Sequence, residues 1–174
     1  MAGEKVDFDV VKRLEPDAVG VPGSRRFRLI VQNEDNTAFL WLEKEQLQAL
    51  GLAVDQLLTP IKAVWSSAPP SDTAVTEQSS VPDGEAEVEV RVGRMGLGYD
   101  ESSQLFVIVA HDADAEADDP PTFKCRCPRS LLSGLSEAIA SVTSAGRARC
   151  PLCGSPLDSG VHFCPGSNGH SHHE

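Results

Sequence analysis

Thiol and imidazole donors gathered in its last quarter leave this chain few ways to fold there. The segment reads Cys150-Pro-Leu-Cys153-Gly-Ser-Pro-Leu-Asp-Ser-Gly-Val-His162-Phe-Cys164-Pro-Gly-Ser-Asn168-Gly-His170. Two cysteines separated by two residues let both thiolates meet one ion from a tight turn whose amides point at the sulfurs. Pro156 and the Asp158-Ser159-Gly160 run turn the chain back. An extended 161–164 then places His162 and Cys164 on one face, with Val161 and Phe163 on the other. The expectation is one structural zinc ion held by Cys150, Cys153, His162 and Cys164, with no position left for water. Asn168 stands where a second C-x-x-C would carry a thiol, and an amide is a poor zinc ligand, so His170 is the alternative fourth donor. The competing reading is a reduced thiol pair without metal. A thioredoxin-like redox pair fits less well, because the motif follows a helix instead of opening one.

The rest of the chain has to build its core from Val, Leu, Ile and Ala, since 40% of the 174 residues are hydrophobic and only 5% aromatic. No run approaches the roughly 18 apolar residues of a membrane span. The opening Met-Ala-Gly-Glu-Lys-Val-Asp lacks the apolar region of an export signal. The five cysteines are therefore read in a reducing cytoplasm, where metal binding or burial is favoured over disulfides. A formal charge of −11 is unevenly spread: residues 87–121 hold nine acids against two bases, and 122–174 five bases against three acids. Binding to nucleic acid needs a basic surface that displaces phosphate counterions. Electrostatics thus argues against nucleic acid for the body and leaves it open only for the tail.

Two stretches share one plan, and a Ser/Pro/Asp-rich connector at 66–86 separates them. The division is a first half 1–65, the linker 66–86, a second half 87–146 and a zinc-binding tail 147–174. The first half reads as strands at 6–14, 27–32 and 38–42, with Asn33-Glu34-Asp35-Asn36 as a hairpin turn. A helix follows over 43–58, with Leu47, Leu50, Val54, Leu57 and Leu58 at helical spacing. Gly51 inside it should cost about 1 kcal/mol relative to Ala, and Pro60 is expected to stop it. In the second half Val88, Val90 and Val92 alternate on one face, then Met95, Leu97 and Tyr99 on the other. That phase flip predicts a bulge near Gly93-Arg94. The continuous run 105–110 reads as a strand buried on both faces. Residues 122–127 alternate again and lead into a helix with Leu132, Leu135, Ile139 and Val142 inward.

Sliding one half by 85 positions sets Leu40 on Cys125, Leu42 on Cys127, Leu47 on Leu132, Leu50 on Leu135, Val54 on Ile139 and Leu57 on Val142. The fold class is α+β: an antiparallel or mixed sheet with two helices on one face. A duplicated three-strand-plus-helix unit explains the matches, and convergence explains them as well, because any strand entering an amphipathic helix repeats this pattern.

Other signals carry less chemistry. Cys125 and Cys127 share a strand face with Phe123, and their counterparts are leucines, so both read as small buried hydrophobes. Gly93-Arg-Met-Gly96-Leu-Gly98 has no helix behind it and no closing Lys-Ser/Thr, so it is no phosphate loop. Arg25, Arg26 and Arg28 beside Pro22-Gly23 could meet an anion, against the commoner reading of a hairpin loop with solvated charges. His111-Asp112 has no visible nucleophile to serve. The acidic run 112–121 reads as an exposed turn.

In combination, Val19-Gly-x-Pro-Gly-x-Arg-x-Phe27, Leu42-Glu-Lys-Glu-Gln46, Val92-Gly-x-Met-x-Leu-Gly-Tyr-Asp100 and the terminal cysteine pattern resemble an uncharacterised actinobacterial family catalogued as domain of unknown function 3090. The resemblance covers nearly the whole chain outside the connector. It implies a terminal cysteine pattern at Cys150, Cys153 and Cys164 and no assigned activity.

The leading functional expectation is a non-catalytic interaction or accessory protein with an unknown protein partner. A small-molecule enzyme or sensor, using the arginines near Pro22-Gly23 and the Gly93–Asp100 bend, is the alternative. Nucleic-acid binding by the basic tail comes third.

Overall fold

The computed structural model describes residues 5–21, 23–65 and 86–145. In chain order the elements are β1 (Val6–Val10), β2 (Arg13–Val19), β3 (Arg26–Gln32), β4 (Thr37–Leu42), α1 (Lys44–Trp65), β5 (Val88–Asp100), β6 (Leu105–Asp112), β7 (Phe123–Cys127) and α2 (Arg129–Ser144). They form an α+β structure with one mixed seven-stranded sheet, ordered β1-β7-β6-β5-β4-β3-β2, and two helices. β1–β7 and β4–β5 pair in parallel, and the remaining neighbours are antiparallel.

The strand expected at 6–14 is only the start of a longer run. It continues through Pro16 to Val19, with a two-residue break at Val11 and Lys12. Pro16 is tolerated because β2 ends the strand order, so its missing N–H faces no further partner. At the break the run changes partners. Val11 N donates to the carbonyl of Arg126 on β7, and Lys12 N donates to that of Gln32 on β3. First and last members of the strand order are therefore consecutive pieces of one run, and the sheet turns back on itself.

β5 repeats the device in a single element. Residues 88–91 pair in parallel with β4, and residues 92–100 pair with β6, with a register shift between Val92 and Arg94. The bulge expected there is present. It reconciles the two alternating patterns: Val90 and Val92 are buried in the core before it, while Met95 and Leu97 pack against the same core after it.

Binary patterning explains the remaining strands. Phe27, Leu29 and Val31 of β3, Ala38, Leu40 and Leu42 of β4, and Phe123, Cys125 and Cys127 of β7 alternate inward and are buried. β6 departs from expectation. Phe106, Ile108 and Ala110 are buried, whereas Leu105, Val107 and Val109 are half-buried on the far face. A continuous apolar run does not reveal how well each face is covered, and here both helices lie over the same core.

α1 opens with one half of a capping box, in which Oε1 of Gln46 accepts from the amide of Glu43, while the Glu43 carbonyl accepts the first helical bond from Leu47 N. Pro60 does not stop the helix, which continues to Trp65. Four turns are already anchored by the buried Leu47, Leu50, Val54 and Leu58, so proline forfeits one backbone bond without ending the element. Gly51 also has a use. A Cβ there would lie 3.3 Å from Cγ2 of Ile139 on α2, so the glycine sets how closely the helices cross.

The halves run through the same elements, β2-β3-β4-α1 and β5-β6-β7-α2. Leu40, Leu42, Leu47, Leu50 and Val54 are buried, and so are Cys125, Cys127, Leu132, Leu135 and Ile139 at the matching positions. Inward side chains of both units join in one cluster.

Candidate functional site

Among the described residues the inward side chains are committed to packing, which leaves the turns and the outer faces of the sheet as candidate sites. Registers across β2, β3, β4 and β5 line the outer face of the first half into rows. One row runs Asp17, Arg28, Trp41, Arg91, and the next runs Glu15, Ile30, Phe39, Glu89. These charges are ordered. Arg28, with 14% of its side chain exposed, holds Asp17 at 2.7 Å and lies 4.2 Å from the Phe39 ring centroid. Arg13 pairs with Glu15 at 2.6 Å. Trp41 donates its indole N–H to Glu89 at 2.8 Å, while the guanidinium of Arg26 sits 4.3 Å from its ring centroid. Each such stack contributes about 0.5–1 kcal/mol near the surface. Phe39 and Ile30 are buried on this face although neither belongs to the core cluster under the helices, and the Arg28 guanidinium lies over the Phe39 ring.

The arginines read as solvated loop charges therefore divide differently. Arg26 and Arg28 belong to β3, and only Arg25 belongs to the turn before it. That turn has Gly20 and Gly23 at positive φ, and Val21 O accepts from Ser24 N at 3.0 Å. A Cβ at Gly20 would lie 2.8 Å from Ser24 O, so both space and φ hold the position for glycine.

On the second half the outer face carries Gly96 and Gly98 opposite Val109 and Val107, followed by Lys124 and Arg126 on β7. Arg126 pairs with Asp9, and Lys124 lies 3.7 Å from Asp7. The Gly93–Asp100 stretch is thus a strand with a bulge. It belongs to the β5–β6 hairpin, whereas Arg25, Arg26 and Arg28 belong to the β2–β3 hairpin, so the two stretches named together in the sensor reading sit on separate hairpins. At its tip Asp100 accepts from the hydroxyls of Ser102 and Ser103, which hold its carboxyl down to about 2.

The loop 112–121 is exposed for the most part, as expected, yet it is tethered. Arg94 donates to the carbonyls of Glu116 at 2.9 Å and Ala117 at 2.7 Å, with Nδ1 of His111 3.1 Å away. His111 thereby serves a structural contact. Cys125 and Cys127 are buried, and burial pushes the Cys127 thiol up to about 12 and Cys125 higher still, which leaves both inert at neutral pH. Among the described residues no three His, Cys, Asp or Glu side chains gather as they would around a metal. Cys150, Cys153, His162, Cys164 and His170 lie outside the described residues.

Sequence reasoning missed the rows. Their signal was present in the outward positions of the two strands, Arg26, Arg28 and Ile30 on β3 and Phe39 and Trp41 on β4, although only Arg28 and Trp41 meet as an arginine–aromatic register pair.

A mixed seven-stranded sheet, two helices on one core and an ordered arginine–aromatic outer face define an α+β protein. The chain belongs to the family described as protein of unknown function (DUF3090), whose family model matches residues 6–164. No curated protein and no solved structure matches it. Among the described residues no helix is long and apolar enough to cross a membrane.

Proposed function

We propose that this is a non-catalytic interaction or accessory protein of the cytoplasm that meets its partner through the outer face of β2–β5. The observation that carries this reading is Trp41, with Arg26 over its ring and its indole N–H on Glu89. Tryptophan, tyrosine and arginine dominate the energetics of protein–protein contacts, because each brings large area with little entropy to lose once held in place. Here the holding is done in advance by cross-strand neighbours. In the same reading the tail holds one structural zinc through Cys150, Cys153, His162 and Cys164. Ligand type and spacing support the set, and all four positions fall inside the family match, whereas His170 falls beyond it. The two halves descend from one repeated three-strand-plus-helix unit, a reading supported by their common element order and matched burial.

Affinity capture with wild-type protein and Trp41→Ala, with thermal melts to show that both are folded, tests the interaction. A partner retained by the first and lost by the second is expected. Defined turnover of phosphorylated metabolites by the purified protein would sink the reading in favour of an enzyme. Elemental analysis tests the metal separately: one zinc per chain, lost in Cys164→Ser and weakened in His162→Ala. Zinc fully retained by His162→Ala would move the fourth ligand to His170.

A further inference from the structure

The cations of the described strands are nearly all committed. Arg13, Arg28, Arg91, Lys124 and Arg126 each face a carboxylate, and Arg94 is spent on carbonyls. Arg26 stands apart among the described residues. It is exposed, no carboxylate pairs with it, and its guanidinium is nonetheless fixed, 4.3 Å from the Trp41 centroid. Donation of the indole N–H to the anionic Glu89 enriches the ring in electrons and strengthens that stack. A guanidinium placed over a ring still has N–H donors to offer, and these can grip a carboxylate with two parallel bonds. Arg25 precedes it, half-buried, with its Nε buried and unpartnered.

The immediate surroundings are apolar. Val19 lies directly opposite Arg26 in the β2–β3 ladder and is 41% exposed, and Val21 in the adjoining turn is 68% exposed. Among the described residues, two of the five large hydrophobic side chains left exposed thus adjoin the uncommitted arginine. We propose that Arg26, with Arg25 beside it and Val19 and Val21 at its flank, is a docking site for a short acidic–apolar peptide segment of a partner protein. The proposal rests on the binding face described above and names its ligand class. Charge complementarity selects the occupant. A molecule of net charge −11 disfavours a long polyanion, so nucleic acid fits poorly here, whereas a few carboxylates can reach two local cations at short range. The valines add apolar contact that a free inorganic anion cannot use.

Fluorescence anisotropy with a labelled short peptide alternating Asp or Glu with Leu is the test, run beside the same peptide with Asn and Gln in place of its acids. Wild-type protein should bind the acidic peptide, and Arg26→Glu should weaken binding at least about tenfold. Arg26→Lys should recover only part, because an ammonium keeps the charge and loses the fork. Lys12→Ala, which removes a cation already paired with Glu34, should leave affinity unchanged. Equal binding of the neutral peptide, or displacement by inorganic phosphate at matching concentration, would overturn the acidic–apolar assignment. Failure of the peptide to bind while Trp41→Ala still loses its captured partner would overturn this inference and leave the binding face standing. Failure of both experiments would remove the face itself.

Discussion

The halves of this protein share a core and differ on their outsides. Matched registers show it position by position. Where β2 carries Glu15 and Asp17 outward, β5 carries Gly96 and Gly98; where β3 carries Arg28 and Ile30, β6 carries Val107 and Val109. Trp41 on β4 corresponds to Arg126 on β7, since they face Arg28 and Val107 respectively. Inward, the same comparison exchanges one apolar residue for another, as in Leu40 for Cys125. Packing at crystal-like density constrains what faces inward, and solvent tolerates almost anything outward. The outer faces are therefore where the two halves are free to differ, and among the described residues the ordered arginine–aromatic surface lies on the first.

The largest effect should appear where the halves agree. Leu47 and Leu132 are both fully buried at matching helix positions, so Leu47→Ala and Leu132→Ala should each cost about 3 kcal/mol. Urea denaturation should show one transition for each, because both belong to one cluster. Costs that differ severalfold, or two separate transitions, would break the equivalence.

The helix crossing offers a sharper contrast. Gly51 on α1 and Ser136 on α2 are the matching small residues. Gly51 lies against Ile139, while the Ser136 hydroxyl donates to the exposed Asp55 at 2.8 Å. Gly51→Val should destabilise by about 1–3 kcal/mol through overpacking, and Ser136→Ala by less than about 0.5 kcal/mol. Thermal melts of the pair measure it; a harmless valine would mean that Gly51 does not set the crossing distance.

A smaller and opposite effect is expected on the bare outer strand. A Cβ at Gly98 meets nothing within 4 Å, so Gly98→Thr should stabilise by up to about 1 kcal/mol through strand preference. Gly96 is less forgiving, because its Cβ would come within 3.0 Å of a Val109 methyl. A gain at Gly96 equal to that at Gly98 would remove the distinction between the two.

The smallest effect concerns the hairpin tips. Asp100 is held by two serine hydroxyls, a bond set that the β2–β3 turn does not share, and its carboxyl titrates near 2. A carboxyl depressed in the folded state stabilises above its unfolded value near 4, and that contribution fades as pH falls through about 2. A carbon-detected NMR titration should find Asp100 still ionised at pH 3, and Ser102→Ala should move its midpoint upward. A normal midpoint in the wild type would show that the serines do not hold it.

Much of this architecture was legible, and the reasons differ by element. The helices could be read because Leu47, Leu50 and Val54, like Leu132, Leu135 and Ile139, keep a 3.6-residue period that only burial of one face explains. The bulge in β5 could be read because a change of alternating phase needs an extra residue. Pro60 misled because its cost is local, while the anchoring of α1 is spread over the turns before it. The second half of the first run, β2, was hidden by Pro16 and Asp17, residues that suit a strand only at the end of a strand order. The rows of Arg26, Arg28, Phe39 and Trp41 required the register of β3 on β4, and no spacing within one strand supplies that.

The joint at Val11 and Lys12 also sets an order in time. Val6 pairs with Phe123, and the ring of Phe8 meets that of Phe123 at 5.0 Å, edge to face. On the ribosome β1 emerges well before its partner β7; at about 5–20 residues per second that interval is on the order of ten seconds. The β2–β3–β4 meander needs only near neighbours and can form meanwhile, leaving Phe8 and Val11 without their β7 partners. The strand made earliest is completed last.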